Sequence, residues 1–204
     1  MQGIKNIIFD LGGVLLDVNY QLTEAAFSQI GIEDYKSYFK QDYSAELFEN
    51  LEKGTITPSS FYDEFRTLFG TTHSNEDIRH AWNAMLGNFI PDNMQILKNS
   101  TKNYKVYLFS NTNQIHYECF RDIYLKQFGN NDFDSHFIKA YYSQICGWRK
   151  PTPQSYTNLL EAEGLTASET LFIDDTEKNI IGANEAGLKT FHLKHPTLLS
   201  SLNI

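Results

Sequence analysis

Five short segments of the chain carry apolar side chains almost without a break, and they are rich in Ile, Val, Phe and Tyr. Apolar runs of this length are typical of strands in a parallel sheet that is covered on both faces. The pattern therefore predicts five buried β-strands, at residues 6–10, 104–110, 137–142, 170–174 and 189–193.

Helix-like segments separate the last four of these strands, because their apolar residues recur every three or four positions. Two examples are QIHYECFRDIYLKQF and TPQSYTNLLEAEG, and the second ends on Gly164, a common signal for a helix C-terminus. This alternation of strands and helices predicts an α/β fold with a Rossmann-like, doubly wound parallel sheet.

The interval between the first and second predicted strands is far longer than a simple crossover connection. It holds roughly ninety residues, whereas a crossover needs about a dozen or more. Four of its segments show helical spacing: LTEAAFSQIGI, AELFENLEKG, SSFYDEFRTLFG and NEDIRHAWNAMLGNF. We therefore expect an inserted helical bundle over residues 17–89 and a core domain formed by residues 1–16 and 90–204.

The composition is that of a folded globular protein, and it narrows the range of partners. Of the 204 residues, 41% are hydrophobic and 14% aromatic, and the formal net charge is -8. This charge argues against broad contact with nucleic acid or anionic membranes. Cys119 and Cys146 are too few for a disulfide framework. We expect a cytoplasmic protein, monomer or homodimer, with neither a nucleic-acid nor a membrane partner.

Polar residues follow three of the predicted strands at the point where each strand ends. Ligands of open α/β sheets bind beyond the carboxyl ends of the strands, so these residues are the first candidates for chemistry. A lysine at the start of a predicted helix joins them. The candidates are Asp10, Ser110 with Asn111 in LFSNT, Lys150 in GWRKPTPQSY, and Asp174 with Asp175 in FIDDTEKN. We expect them to converge on one crevice.

Taken one by one, these motifs have simpler interpretations. An Asp before two glycines is often only a turn, and Ser110 with Asn111 could cap the following helix. Asp174 and Asp175 could do the same for TEKNIIGANEAG, and a lysine in WRKP is usually solvated. Independent capping, however, does not explain why the motifs share a position at the ends of strands.

In this order the four motifs resemble those of the haloacid dehalogenase-like hydrolase superfamily: a strand-end Asp, a Ser or Thr with Asn, a Lys, and an acidic pair. The resemblance covers nearly the whole chain, and the insertion falls where subfamily I of that family carries its helical cap. Bacterial sugar 1-phosphate phosphatases look similar, with FDLG, SNT and DD motifs. The resemblance implies a Mg²⁺-dependent phosphatase of a small phosphorylated metabolite, with sugar phosphates favoured.

The resemblance also implies a role for the individual residues. Asp10 would be the nucleophile and would form an aspartyl-phosphate. Ser110, the Asn111 N–H and Lys150 would bind the phosphoryl oxygens and stabilise the charge that develops on them. In the cap, a helix-to-helix turn in LEKGTITP resembles the substrate-specificity loop of the family. Its residues Lys53 and Gly54 are therefore candidates for substrate binding.

A magnesium site is implied in the same way. Mg²⁺ prefers hard oxygen ligands and keeps several waters. Asp10, the backbone carbonyl of Gly12 and Asp175 would bind it. Asp174 would be a direct or a water-mediated partner. Gly12 and Gly13 would let the backbone pass close to the metal.

Gly12 is a departure from the pattern of the family. Many of its phosphatases carry a second Asp at this position, a general acid and base of a kind worth about 10²- to 10⁴-fold in rate. Without this acid, we expect the rate to depend steeply on the pKa of the leaving group. Sugar 1-phosphates suit such a site, because anomeric hydroxyls are comparatively acidic. Asp17 is the candidate substitute acid.

Two other functions fit part of the pattern. A 2-haloacid dehalogenase shares the Asp nucleophile and the Lys, but without a cation Asp174 and Asp175 would repel its carboxylate substrate. A catalytically weak binding or regulatory protein would explain Gly12, although Asp10 and Lys150 are both present. Phosphate release measured with and without Mg²⁺ separates the three hypotheses.

Overall fold

The structure is a computed structural model and describes residues 2–40, 43–194 and 199–202. Its strands are, in chain order, β1 (Asn6–Phe9), β2 (Leu16–Val18), β3 (Phe39–Lys40), β4 (Tyr43–Ser44), β5 (Leu86–Phe89), β6 (Lys105–Ser110), β7 (Lys139–Tyr142), β8 (Thr170–Asp174) and β9 (Lys189–His192). Its α-helices are α1 (Tyr20–Gln29), α2 (Glu46–Glu52), α3 (Pro58–Phe69), α4 (Asn75–Asn83), α5 (Pro91–Ser100), α6 (Gln114–Phe128), α7 (Ser143–Cys146), α8 (Pro153–Glu163) and α9 (Glu177–Glu185). None of the helices in these ranges is long and apolar enough to cross a bilayer.

A five-stranded parallel sheet forms the core, in the order β7-β6-β1-β8-β9. Its central strand, β1, pairs along both sides, with Ile8 opposite Tyr107 of β6 and Phe172 of β8. Each strand of this sheet coincides with a sequence-predicted strand to within two residues at either end. The predicted α/β class and the doubly wound parallel sheet are confirmed.

The two faces of the sheet are covered by different helices. Ile7 and Phe9 of β1 pack into a core with residues of α5 and α6, whereas Ile8 packs with residues of α8 and α9. Successive side chains of a strand point to opposite faces. A central strand that is covered on both sides must therefore be apolar at every position, and this is the pattern found in the sequence.

The segment between β2 and β5, which we call the insertion (residues 19–85), has a hydrophobic core of its own. It contains α1 to α4, and aromatic rings dominate its interior: Phe27, Phe48, Phe65 and Trp82 are fully buried. A capping box at Ser74 begins α4. The helical spacing of the sequence thus reflects packing inside the insertion.

One predicted helix is wrong at its C-terminal end. The segment NEDIRHAWNAMLGNF was expected to be helical throughout, but α4 ends at Asn83 and the residues Leu86–Phe89 form β5. β5 pairs with β2 in an antiparallel ribbon that carries the chain into and out of the insertion. At this pairing Gly87 lies so close to Asp17 that an added Cβ would be 3.0 Å from its Oδ2. The backbone pairing, rather than local apolar spacing, determines this element.

Candidate active site

The carboxyl ends of the central strands border a cavity of about 330 Å³. Asp10 follows β1, Asp175 follows β8, and Lys150 lies shortly before α8. All three line the cavity, and so do Gly12 and Asn111. Residues from all four sequence motifs therefore meet at a single crevice, which the insertion covers.

Lys150 lies at the centre of this crevice, with its side chain only 1% exposed. Its Nζ is 2.8 Å from Asp10 Oδ1 and 2.7 Å from Asp174 Oδ2. Burial alone would lower the pKa of the amine, but the two carboxylates raise it above its ordinary value. The interpretation of WRKP as a solvated surface segment is therefore wrong, and Lys150 is a buried, charged lysine.

The protein engages one oxygen of the Asp10 carboxylate. Oδ1 accepts a hydrogen bond from the Leu11 N–H at 2.7 Å and also contacts Lys150. Burial raises the pKa of Asp10 well above its ordinary value, Lys150 opposes this shift, and repulsion by Asp174 and Asp175 adds to it. An anionic Asp10 is consequently stabilised by any further positive charge that enters the cavity.

The two adjacent carboxyl groups have different surroundings. Asp174 is fully buried, and both of its oxygens accept hydrogen bonds, from the Thr176 N–H at 2.8 Å, from Lys150 at 2.7 Å and from the Asn179 amide at 3.0 Å. Asp175 lines the cavity. Burial, and then repulsion by Asp174, raises the pKa of Asp175 to about 6. Asp174 is thus placed to position Lys150, and Asp175 to bind a ligand.

The carboxylates of the crevice fit a divalent cation. Asp10, Asp174 and Asp175 each offer an oxygen, and these three atoms lie within 4.8 Å of one another. Such oxygens are the ligands that Mg²⁺ prefers. Burial is the main cause of the raised pKa values of Asp10 and Asp175, and repulsion among the carboxylates adds to it. A cation of charge +2 would relieve this repulsion.

Two neighbouring glycines in the crevice serve different purposes. Gly13 has a φ of 69°, in the left-handed region, and a Cβ at this position would overlap the Asp175 carboxylate. Gly12 does not have a left-handed backbone, but a Cβ there would lie 3.2 Å from Cγ2 of Val18. Gly13 is thus required by its conformation and by Asp175, whereas a side chain at position 12 would be in tight contact with Val18.

Asn111 joins the second motif to the third through the backbone of Lys150. Its Nδ2 donates to the Lys150 carbonyl and its Oδ1 accepts from the Lys150 N–H, both at 2.9 Å. Ser110 is buried and lines a smaller, adjoining cavity of about 70 Å³. The following helix is capped by Asn113, whose Oδ1 accepts a backbone N–H at 3.0 Å. Ser110 and Asn111 are therefore not its caps.

The structure does not bring Lys53 and Gly54 to either cavity. Lys53 Nζ pairs with Glu49 at 3.1 Å, and both side chains are partly exposed. Gly54, with a φ of 69°, packs directly against the backbone carbonyl of Gln144 in α7. This turn is thus a contact between the insertion and the core, and its role in substrate binding stays a prediction.

The insertion contributes a wall of the cavity that the motifs did not predict. Tyr20, Phe39, Ser44 and Glu52 line it. Glu52 is buried, and its Oε2 accepts a hydrogen bond from the core residue Arg149 at 2.7 Å. Burial raises the pKa of Glu52, and Arg149 opposes this shift. A sequence signal did exist, because an acidic residue on the apolar face of a short helix needs a partner.

Asp17, the candidate substitute acid, does not line either cavity. It lies in β2 with an exposed side chain, and its carboxylate is next to Gly87 of the paired strand. The structure therefore does not place this carboxyl group against the crevice.

The chain is similar to several known proteins. A family model described as haloacid dehalogenase-like hydrolase matches residues 4–187. A D-ribitol-5-phosphate phosphatase from Bacteroides thetaiotaomicron is 30% identical over 190 residues, which cover 92% of this chain and 91% of that protein. The sesquiterpene phosphatase astK from Aspergillus oryzae is 28% identical and is matched over 93% of this chain and 89% of its own.

A similar solved structure also comes from Bacteroides thetaiotaomicron. It is a crystal structure of an enzyme of the haloacid dehalogenase-like (HAD) family, an Asp-to-Ala variant in complex with magnesium and inorganic phosphate. The TM-score is 0.88 at 32% sequence identity, over 98% of this chain and 99% of that chain.

Proposed function

The chain belongs to the haloacid dehalogenase-like hydrolases, and on this basis we propose that it hydrolyses its substrate through Asp10 as the nucleophile. It is a phosphoric monoester hydrolase with Mg²⁺ as its cofactor, as the resemblance of its motifs predicted. The observation that carries the proposal is the buried Lys150, which bridges Asp10 and Asp174 beside the carboxylate of Asp175.

In the proposed reaction, an oxygen of Asp10 attacks phosphorus and the bond to the leaving oxygen breaks. Water then hydrolyses the aspartyl-phosphate and regenerates Asp10. Lys150, held in place by Asp174, contributes a fixed positive charge against the phosphoryl oxygens. Asp10, Asp175 and the Gly12 carbonyl would hold Mg²⁺, which supplies further positive charge when bound.

The second motif completes the proposed phosphoryl site. Ser110 is the last residue of β6, the strand next to β1 in the sheet, and Asn111 follows it. The Asn111 side chain is occupied by the Lys150 backbone, so its N–H, rather than its amide group, is the proposed donor. Fixed donors of this kind stabilise the charge that develops on a transferred phosphoryl group.

We also propose that the substrate is a small, hydroxyl-rich phosphate such as a sugar or polyol phosphate. Besides Asp10 and Asp175, polar side chains from both the insertion and the core line the cavity. They include Ser44, Glu49, Glu52 and Arg149. Groups of this kind exchange hydrogen bonds with hydroxyls and would be poorly matched to a terpenoid chain. The volume of about 330 Å³ is at the lower end of ligand pockets.

The domain division, the location, the oligomeric state and the partners of the enzyme are also part of the proposal. We assign residues 17–89 to a cap domain and residues 1–16 and 90–204 to the catalytic core. The negative net charge and the free cysteines support a cytoplasmic monomer or homodimer without nucleic-acid or membrane partners.

The test is phosphate release from a panel of sugar, polyol, nucleotide and aryl phosphates, with Mg²⁺ and with a chelator. Asp10→Asn is expected to abolish turnover with little change in folding, because an amide is nearly isosteric but a poor nucleophile. Asp122→Asn, an exposed change on α6, is the matched control. Near-normal phosphate release by Asp10→Asn would contradict the assignment of the nucleophile.

The alternatives make different predictions in the same assay. A 2-haloacid dehalogenase would release halide without Mg²⁺, and its carboxylate substrate would face Asp10, Asp174 and Asp175. A binding or regulatory protein would retain the bound phosphate ester without hydrolysing it. Magnesium-dependent phosphate release that is lost in Asp10→Asn excludes both.

A further inference from the structure

The crevice contains a hydroxyl group that the reaction described above does not use. We propose that Tyr20, from the insertion, donates the proton that the leaving oxygen needs, in place of the acid that position 12 does not supply. This inference rests on the proposed phosphatase function and adds a residue that acts on the leaving group.

The structure shows what a side chain at position 12 would meet. Gly12 has no left-handed backbone, so its conformation would accept a side chain. An added Cβ would lie 3.2 Å from Cγ2 of Val18, at the end of β2, so Val18 would have to shift slightly. Two residues after Val18 the chain reaches Tyr20, and both side chains line the same cavity. The segment that contacts position 12 therefore also brings a phenol to the crevice.

The position of Tyr20 suits a donor. Its side chain lines the main cavity and the adjoining one of about 70 Å³. The ring packs against Phe39, with 6.1 Å between the centroids. Its hydroxyl makes no hydrogen bond to any residue in the described parts of the chain, although the hydroxyls of Tyr141, Tyr142 and Tyr156 each have a partner. The Tyr20 hydroxyl is thus available to a substrate.

The electrostatics keep the proton on this phenol until the reaction. Burial, and then the carboxyl groups of Asp175, Glu52 and Asp10, raise the pKa of Tyr20 far above its ordinary value. The neutral phenol is therefore the resting form throughout the working pH range. An alkoxide that leaves phosphorus is itself a strong base, so a weak acid is sufficient to protonate it.

The proton balance closes over the two chemical steps. In the first step the bond from Asp10 to phosphorus forms, the bond to the leaving oxygen breaks, and that oxygen takes the Tyr20 proton to become an alcohol. In the second step, water attacks the phosphorus of the aspartyl-phosphate and passes one proton to the tyrosinate. Asp10 and neutral Tyr20 are thereby regenerated together with inorganic phosphate.

Other acidic groups of the crevice are engaged elsewhere. Glu52 accepts a hydrogen bond from Arg149 at 2.7 Å, which opposes the rise in its pKa that burial causes. Glu49 pairs with Lys53 and Arg149. Lys150 is held between two carboxylates, and Asp17 lies outside both cavities. This arrangement changes the expectation for the wild-type enzyme from a steep to a shallow dependence on leaving-group pKa.

The test compares Tyr20→Phe with the wild type on 4-nitrophenyl phosphate and on D-ribitol 5-phosphate. The quantity measured is kcat/KM, because it includes departure of the leaving group and excludes the later hydrolysis of the aspartyl-phosphate. Nitrophenolate needs little protonation and an alkoxide needs a full proton. We therefore expect a loss of about 10²-fold on the alkyl phosphate and of less than about threefold on the aryl phosphate.

Tyr35→Phe is the matched control. It removes the same group from a neighbouring ring of the insertion, whose buried hydroxyl has no hydrogen-bond partner among the described residues and does not line the cavity. We expect it to leave both kcat/KM values unchanged. Melting curves of all variants check the fold, and a plot of log kcat/KM against leaving-group pKa should be steep only in Tyr20→Phe.

Two results would overturn the assignment of Tyr20. An equal loss on both substrates would show that the ring or the hydroxyl serves binding, and no loss on the alkyl phosphate would show that the proton comes from another group. If the wild-type enzyme with Mg²⁺ releases phosphate from neither substrate nor from the rest of the panel, the proposed function fails instead.

Discussion

At the scale of single residues, Gly13 allows a close test of the crevice. Gly13→Ala would place a methyl group in the Asp175 carboxylate and would strain a backbone with a φ of 69°. We expect it to lower the apparent affinity for Mg²⁺, as measured from the dependence of phosphate release on Mg²⁺ concentration. The reason is that the Asp175 carboxylate must move from its present position to make room.

Gly129→Ala separates the two effects of that change. Gly129 ends α6 with a φ of 77°, and no atom of the described residues lies within 4 Å of an added Cβ. The variant carries the same kind of backbone penalty, about 1–2 kcal/mol, without a contact to the site. If both variants keep the wild-type dependence on Mg²⁺, the close approach of Gly13 to Asp175 has no part in metal binding.

At the scale of elements, His116 connects the core helix α6 to α4 of the insertion. Its ring stacks on Trp82 with 4.6 Å between the centroids, and its Nε2 lies 3.2 Å from the Trp82 carbonyl. Burial lowers the pKa of His116 from 6.5 to about 4. Between these two values the unfolded chain binds a proton that the folded protein excludes, so stability falls as the pH falls.

This contact predicts a pH-dependent loss of stability that a variant can remove. Between about pH 7.5 and pH 5, His116 should reduce the free energy of unfolding by about 2 kcal/mol. In His116→Gln this part of the pH dependence should disappear, whereas His80→Gln, an exposed change on α4, should retain it. Urea unfolding at the two pH values measures the difference. An unchanged pH dependence in His116→Gln would show that His116 titrates normally in the folded protein.

Elements differ in how far their sequence determines them. The strands of the central sheet could be predicted because β1 and its neighbours are buried on both faces, which forces an apolar run that stands out locally. The ribbon of β2 and β5 could not, because its strands are short and each depends on a partner on the other side of the insertion. For this reason the sequence pattern predicted a helix at Gly87, although this residue lies in β5.

The same distinction applies to the site. Asp10 and Asp175 could be predicted because their motifs stand at the ends of strands, and Lys150 because its motif, before a helix, completes a recognisable order. Tyr20 and Glu52 could not be assigned to the crevice, since nothing near them in the sequence says which helix of the insertion faces the core. That information is in the packing of the insertion against α6 and α7.

At the scale of the whole molecule, Mg²⁺ and folding are linked through the carboxylate cluster. A ligand that binds only the folded state adds about 2.7 kcal/mol of stability at a hundred times its Kd. The melting temperature of the wild type should therefore rise with Mg²⁺ concentration. In Asp175→Asn this rise should be strongly reduced, and the metal-free variant should be more stable than the metal-free wild type, because one repelling charge is removed.

Thermal melts over a range of Mg²⁺ concentrations, with Asp122→Asn as the control, measure both effects. Asp122 lies on the exposed side of α6, so its variant should follow the wild type at every concentration. A metal-free Asp175→Asn that is less stable than the wild type would mean that this carboxylate stabilises the fold without a cation, contrary to the repulsion inferred from its raised pKa.

The crevice is built from two parts of the chain. Asp10 stands at the end of β1, which is paired on both sides, whereas Tyr20, Phe39 and Glu52 belong to the insertion. Over evolutionary time, substitutions in the insertion can exchange one alcohol for another while the machinery for breaking the phosphate bond is inherited unchanged. Because the proposed proton donor Tyr20 lies in the insertion, a change there that admits a new substrate is expected also to alter how readily the alcohol departs. Substrate range and turnover are therefore expected to diverge together among descendants of this enzyme.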